Sequence, residues 1–210
     1  MKLYTYFRSS AAYRVRIALN LKGLTAEQQA IHLTRDGGQQ LLPAYRALNP
    51  QGFVPALEVD GTVLGQSLAI IEYLDEAHPE PPLLPGTALE RARIRAFALA
   101  IACDIHPLNN LRVLRHLKRA LAQEETDSWS RHWIMEGFAA LETQAAATAG
   151  AFCFGDRPTL ADVCLVPQMA NARRVETDLS PYPTLLRIDA HCRSLEPFAA
   201  AAPDRQPDAA

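Results

Sequence analysis

Hydrophobic and polar positions alternate from the start of the chain, and Lys2-Leu3-Tyr4-Thr5-Tyr6-Phe7 reads as a strand. From Ser10 the period lengthens. Ala12, Val15, Ala18 and Leu19 fall on one side of a helix that should stop at Gly23. Residues 27–33 return to a strand pattern, so the chain opens as a βαβ unit with two parallel strands. A polar stretch containing Gly37-Gly38 and a short helix near 41–48 follow. Asp60-Gly61 then sits between two alternating runs, the strongest short signal for a hairpin. Pro55 starts the first hairpin strand, where a missing N–H disturbs no ladder. Gln66-Ser67 opens a helix over 68–78, with Leu68, Ile71, Tyr73 and Leu74 as its apolar side. The order βαβ, α, ββ, α is thioredoxin-like and predicts a four-stranded mixed sheet.

Four prolines between residues 79 and 86 break the pattern, and residues 81–87 read as a stiff linker. The expected organisation is α/β plus all-α: a thioredoxin-like N-terminal domain over 1–80 and an all-helical C-terminal domain over 88–210. In the second domain a long helix over 88–119 should bend at Pro107. A helix over 123–149 would place Trp129, Trp133, Phe138 and Leu141 in a core. Thr159 and Asp162 form a capping box at the head of a helix over 160–174. A short helix follows at 184–194, and the small, polar and proline residues of 199–210 predict a loosely held tail.

Composition narrows the functional classes. Among 210 residues, 49% are hydrophobic and 21% charged, as in ordinary globular proteins, and the net charge of -2 offers no basic field to nucleic acid. No apolar run approaches the roughly 20 residues of a membrane-spanning helix. The chain enters a strand without the charged and apolar regions of a signal peptide. Cys103, Cys153, Cys164 and Cys192 form no C-x-x-C pair and no metal-ligand spacing. A cytoplasmic protein without a metal, nucleic-acid or membrane partner is expected.

The candidate chemistry lies where strand gives way to helix. Ser9 and Ser10 stand at a helix N-terminus, which favours negative charge and stabilises a thiolate. In any such turn the same serines also serve as plain N-caps. Gln66 and Ser67 occupy the start of a second helix, a place suited to a carboxylate. His106, Asn110 and Arg112 would share one side of the bent helix by i, i+4 and i+6 spacing.

Several segments in order then carry a resemblance over nearly the whole chain: Tyr6-Phe7-Arg8-Ser9-Ser10 with Arg14-Val15-Arg16; Asp36-Gly37-Gly38-Gln39-Gln40; Asn49-Pro50 with Val54-Pro55; Gln66-Ser67; Val166-Pro167-Gln168; and Arg205-Gln206-Pro207-Asp208. Together they resemble the zeta-class glutathione transferases, the group that includes the maleylacetoacetate and maleylpyruvate isomerases. The resemblance implies glutathione as cofactor. It implies that Ser9 hydrogen-bonds the glutathione sulfur, with Ser10 close behind and the Ala11 N–H adding to it. Val54-Pro55 would be a cis-proline turn pairing with the cysteinyl backbone. Gln66 and Ser67 would take the γ-glutamyl carboxylate and Gln40 the glycyl end, with His106 and Asn110 lining the cleft. Arg8, Arg112 and Arg174 would hold a dianionic substrate, since the arginine fork pairs with carboxylates bidentately. Arg8 joins the two serines in the catalytic set. Ala11 departs from the class, which usually has cysteine there, so no protein thiol acts at this turn. The implied reaction is the conversion of maleylacetoacetate to fumarylacetoacetate in aromatic catabolism, by reversible thiolate addition in a homodimeric enzyme. The alternatives are maleylpyruvate as substrate, or a general transferase acting on electrophiles such as α-haloacids. A non-catalytic binding module is a third reading, but it would not need Arg8, Ser9 and Gln66-Ser67 together.

Overall fold

The computed structural model describes residues 1–209, in two compact units: residues 1–82 with residue 195 onward, and residues 83–194. The first unit holds β1 (Lys2–Thr5), α1 (Ser10–Leu21), β2 (Glu27–Ala30), α2 (Pro43–Leu48), β3 (Ala56–Val59), β4 (Thr62–Gly65) and α3 (Ser67–Ala77). Its sheet has the order β2-β1-β3-β4, with β1 parallel to β2 and both other pairings antiparallel. This is the thioredoxin-like arrangement expected from the sequence. The second strand is shorter than its pattern suggested. All four residues of β2 are exposed at the sheet edge, and the ladder closes with the Ile31 N–H on the Thr5 carbonyl at 2.8 Å.

Both faces of the sheet are covered. Leu3 faces Leu57 across the β1–β3 ladder, and both are fully buried, as are Val15 and Ala18 of α1 and Ile70 and Leu74 of α3. The buried positions of α3 are Ser67, Ile70, Ile71 and Leu74, the i, i+3, i+4, i+7 stripe of a packed helix. Leu68 and Tyr73, expected on that stripe, are only half-buried. Alternation along β1 sends Tyr4 and Tyr6 into a separate cluster with Tyr45, Val54 and Ala56. There the Tyr4 and Tyr45 rings meet edge to face at 5.8 Å.

The tail corrects the sequence reading. Residues 196–200 form α9 (Glu196–Ala200), followed by 3₁₀ turns, and all of it belongs with the first unit. Phe198 is fully buried, and α9 packs on α1. The Tyr13 hydroxyl donates to the Phe198 carbonyl at 3.3 Å, and Asn20 Nδ2 donates to the Pro197 carbonyl at 2.9 Å.

The second unit is helical: α4 (Ala88–Leu99), α5 (Leu111–Leu117), α6 (Gln123–Thr148), α7 (Leu160–Arg174) and α8 (Pro183–Arg193). Leu83 and Leu84, within the proline-rich stretch, are buried here, and the Leu160 N–H donates to the Leu83 carbonyl at 2.9 Å. The single bent helix expected over 88–119 is instead broken. After α4 come a π-helical turn, Ala100–Ile105, and a 3₁₀ turn, His106–Asn109, before α5 starts afresh. Pro107 has no N–H to continue the ladder and its ring crowds the preceding turn, which explains the widening just before it. The widened turn packs on α6 at Gly137, where a Cβ would lie 2.3 Å from Ile105 Cδ1. Phe138 and Leu141 are fully buried as expected, whereas Trp129 and Trp133 are half-buried. Among the described residues, no helix is long and apolar enough to cross a membrane, and no group of three or more His, Cys, Asp or Glu could hold a metal.

Candidate active site

In the first unit, β1 leads through Tyr6-Phe7-Arg8 to Ser9, the N-cap of α1. The Ser9 N–H donates to the Tyr6 carbonyl at 2.9 Å, and Ser9 Oγ accepts the Ala12 N–H at 3.2 Å. A hydroxyl that accepts in this way still has a proton to donate. A helix supplies no acceptor for its own first N–H groups, so the first turn, Ser10 and Ala11, presents donors beside that hydroxyl. The first turn of α1 contains no acidic residue. The start of α1 is therefore electropositive and lined with donors. Ser10 is buried, Ser9 and Ala11 are half-buried, and Arg8 is exposed, with its guanidinium 5.1 Å from the Phe7 ring centre.

The Val54–Pro55 peptide is cis. Tyr4 pairs with Ala56, so continuing the antiparallel register sets Val54 beside Tyr6, whose carbonyl receives the Ser9 N–H. The third piece is the head of α3. Gln66 takes φ 66° at the cap position, and Ser67 is the first helical residue, again with no acid in the first turn. Gln66 Nε2 donates to Gln51 Oε1 at 2.9 Å. Ser67 Oγ accepts from Arg14 Nη1 at 3.3 Å, which ties the start of α3 to α1.

Gln40 lies in a 3₁₀ turn and is buried, with Nε2 on the Leu33 carbonyl at 3.4 Å and no partner for Oε1 among the described residues. Gly38 allows this packing. A Cβ there would fall 2.7 Å from Gln40 Nε2, and its φ of 115° is itself closed to other residues. Next to it, Gln39 and His32 exchange two bonds: His32 N–H to Gln39 Oε1 at 2.8 Å, and Gln39 N–H to the His32 carbonyl at 2.9 Å.

Ser9, Ser10, Ala11, Val54, Pro55, Gln66, Ser67, Gln40 and Arg8 thus all belong to the first unit. His106, Asn110, Arg112 and Arg174 belong to the second. The common helical side expected for His106, Asn110 and Arg112 does not form. His106 starts a 3₁₀ turn, and Asn110, with ψ 146°, is the N-cap of α5, its side chain accepting the Arg112 N–H at 3.1 Å. Arg112 is exposed in the first turn of α5, and Arg174 is exposed in the last turn of α7.

Sequence reasoning gave no role to Arg14 and Arg16, yet both are buried in α1. Arg16 Nε donates to the Ala201 carbonyl at 3.0 Å, Nη1 to Thr5 Oγ1 at 3.1 Å and to the Tyr6 carbonyl at 3.4 Å, and Nη2 to the Phe7 carbonyl at 3.2 Å. Burial pulls this guanidinium down to about 10, and the nearby Asp208 opposes the shift. The signal available in sequence was two arginines inside an otherwise apolar helix.

Comparisons with known proteins agree over the full length. Residues 3–82 match the family described as glutathione S-transferase, N-terminal domain, and residues 88–188 match glutathione S-transferase, C-terminal domain. A probable maleylacetoacetate isomerase of Vibrio cholerae is 55% identical over 210 residues, covering 99% of this chain and 97% of that one. The holo structure of a maleylpyruvate isomerase, a bacterial zeta-class glutathione S-transferase, superposes with a TM-score of 0.96 at 48% identity, covering 100% of both chains. A maleylacetoacetate isomerase from Anaeromyxobacter dehalogenans, with glutathione bound in its active site, gives a TM-score of 0.90 at 49% identity, covering 100% of this chain and 97% of that one.

Proposed function

This chain belongs to the glutathione S-transferase family, and from that premise we propose that it is a zeta-class, glutathione-dependent isomerase converting maleylacetoacetate to fumarylacetoacetate. The observation that carries the reading is Ser9 Oγ at the acid-free head of α1, accepting one N–H and keeping its own proton for an anion. The surrounding groups fit the tripeptide. Two acid-free helix starts suit a thiolate and a carboxylate, and the Gln40 amide oxygen, without a partner among the described residues, can accept the glycyl N–H.

Glutathione, when bound, supplies the sulfur nucleophile whose reversible addition lets the substrate's cis double bond turn. Ser9 donates its hydroxyl proton as a hydrogen bond and favours the ionised sulfur over the free thiol, whose pKa is near ~8.5. Ser10 and the Ala11 N–H add to the same positive end. Val54 pairs with the cysteinyl backbone, Gln66 and Ser67 hold the γ-glutamyl carboxylate, and Gln40 takes the glycyl end. Arg8 orients a carboxylate of the substrate and steadies the charge that develops on the substrate's carbonyl oxygen. With alanine at position 11, none of this needs a protein thiol.

Maleylpyruvate is the second reading, favoured by the TM-score of 0.96 to an isomerase of that substrate. General transfer to small electrophiles would use the same turn. A cytoplasmic homodimer belongs to the same proposal, on the family's pattern. The test follows the absorbance of maleylacetoacetate and of maleylpyruvate, each with and without glutathione. Decay of one substrate that requires glutathione is expected, and isomerisation indifferent to glutathione would sink the reading.

A further inference from the structure

We propose that Asp208 is a positioning residue for the Ser9 turn, gripping the Tyr6–Phe7 peptide from one side while Arg16 grips it from the other. The inference rests on the reading of Ser9 given above, and concerns how that serine is held.

The contacts form a closed set. Asp208 Oδ2 accepts the Phe7 N–H at 2.9 Å. The carbonyl of that same peptide, Tyr6 O, accepts from Arg16 Nη1 at 3.4 Å and from the Ser9 N–H at 2.9 Å. Arg16 also takes the next carbonyl, Phe7 O, at 3.2 Å, and the Ala201 carbonyl of the C-terminal segment at 3.0 Å. One peptide plane is thus fixed at both its donor and its acceptor, and Ser9 hangs from it by its own N–H. Bonds to charged partners are the stronger kind.

The segment bearing Asp208 is itself held down. Gln206 Nε2 donates to the Ala200 and Ala202 carbonyls, both at 2.9 Å, and Phe198 and Ala201 are buried. Order at residues 198–208 is thereby passed to residues 6–9, more than 190 positions earlier in the chain. Asp208 also lies near enough to Arg16 to favour its charged form.

The test measures ionisation of glutathione bound to the full-length protein, by thiolate absorbance against pH, alongside kcat, KM and hydrogen exchange of residues 6–12 in the glutathione-free protein. Asp208→Ala is expected to raise the pKa of the bound thiol, to speed exchange at Phe7 and Ser9, and to lower kcat about tenfold with KM for maleylacetoacetate little changed, as for a displaced catalytic group. Asp208→Asn keeps an oxygen for the Phe7 N–H and is expected to recover most of this. If Asp208→Ala does not fold, Arg16→Lys decides, since it keeps the charge but loses the fork; the same rise in thiol pKa is expected. Unchanged thiol ionisation in the variant overturns the inference, as does a lowered pKa, which would mean only a removed charge. An equal rise in Asp208→Asn overturns it too. A wild-type protein that binds glutathione without ionising it overturns the reading of Ser9 itself, and this inference with it.

Discussion

The heads of α1 and α7 share a hydroxyl cap and an alanine at the second helical position, and they part at the third. Each starts behind a hydroxyl cap with extended backbone angles, Ser9 or Thr159. At α7 the third residue is Asp162, whose Oδ2 accepts from the Thr159 N–H at 2.8 Å and from the Thr159 hydroxyl at 2.9 Å, while Oδ1 accepts the Cys153 N–H at 2.8 Å. At α1 the third residue is Ala12. The same division runs through the molecule. Among the described helices of eleven residues or more, every one in the second unit begins on a carboxylate: Glu90 for α4, Glu125 for α6, Asp162 for α7, and Glu142 of α6 for α8. In the first unit neither α1 nor α3 has an acid in its first turn. A positive helix end answered within the chain is architecture. One left without an acid is available to an external anion. The thiols differ accordingly: burial, and then the Asp162 carboxylate, push buried Cys153 well up, whereas a thiol at Ser9 would be drawn down.

The largest effect should come from opening the closed end. Asp162→Ala strips the acceptor from three donors, two of them backbone N–H groups, in a fully buried site. A loss of about 3–5 kcal/mol of unfolding free energy is expected, read from the denaturant midpoint. Within the range where the variant stays folded, thiol ionisation of bound glutathione should match the wild type. Next comes Ser9→Ala, which removes a donor aimed at developing charge. It should lower kcat about a hundredfold and raise the bound thiol's pKa, while loss of the cap costs about 1 kcal/mol of stability. An unaltered thiol titration would refute the assignment of Ser9.

How far this division could be read in advance depends on the kind of signal. The order of strands and helices was legible because each element carries its own period, and Asp60-Gly61 marks its hairpin locally. The Thr159–Asp162 box was legible for the same reason. The break near Pro107 was legible as a disturbance only, because a proline says that the ladder fails and not whether the chain bends or restarts. So the shared side of His106, Asn110 and Arg112 was an extrapolation of helical spacing across a point where the helix stops. The tail was misread because Ala, Pro and Asp look loose when nothing local says that Arg16, 185 residues earlier, takes the Ala201 carbonyl. Ser9, Gln66 and Ser67 could be placed at helix starts because sequence shows where helices begin, and the structure has them there. Arg14, Arg16 and Asp208 were given no role because theirs depends on contacts distant in sequence.

A smaller effect would come from making α1 resemble α7. Ala11 is half-buried in the first turn of α1, so Ala11→Glu places a carboxylate there without displacing a core side chain. A negative charge near a helix N-terminus favours the helix, so the melting temperature should hold or rise slightly. The same charge should shift the bound thiol's ionisation constant about fivefold toward the protonated form. Opposite signs for stability and thiolate are what separate an anion site from an ordinary cap. A variant with full thiolate character would mean that α1 is only a cap.

The smallest effect concerns two boxes that share a motif and differ in burial. At the exposed head of α4, the Thr87 N–H and hydroxyl hold Glu90 below the usual carboxylate range. At the head of α7, burial pushes Asp162 above it, although its bonds to Cys153 and Thr159 pull the other way. The signs then differ. A depressed folded pKa gives stability that is present above the unfolded value and lost as pH falls through the folded one. A raised folded pKa gives stability that is present below the unfolded value and lost as pH rises through the folded one. Melting temperatures across the acid range should therefore show the margin of wild type over Glu90→Gln growing with pH, and the margin over Asp162→Asn shrinking with pH. Two margins sloping the same way would mean that burial does not distinguish the boxes, and that the closed end of α7 is no drier than the exposed end of α4.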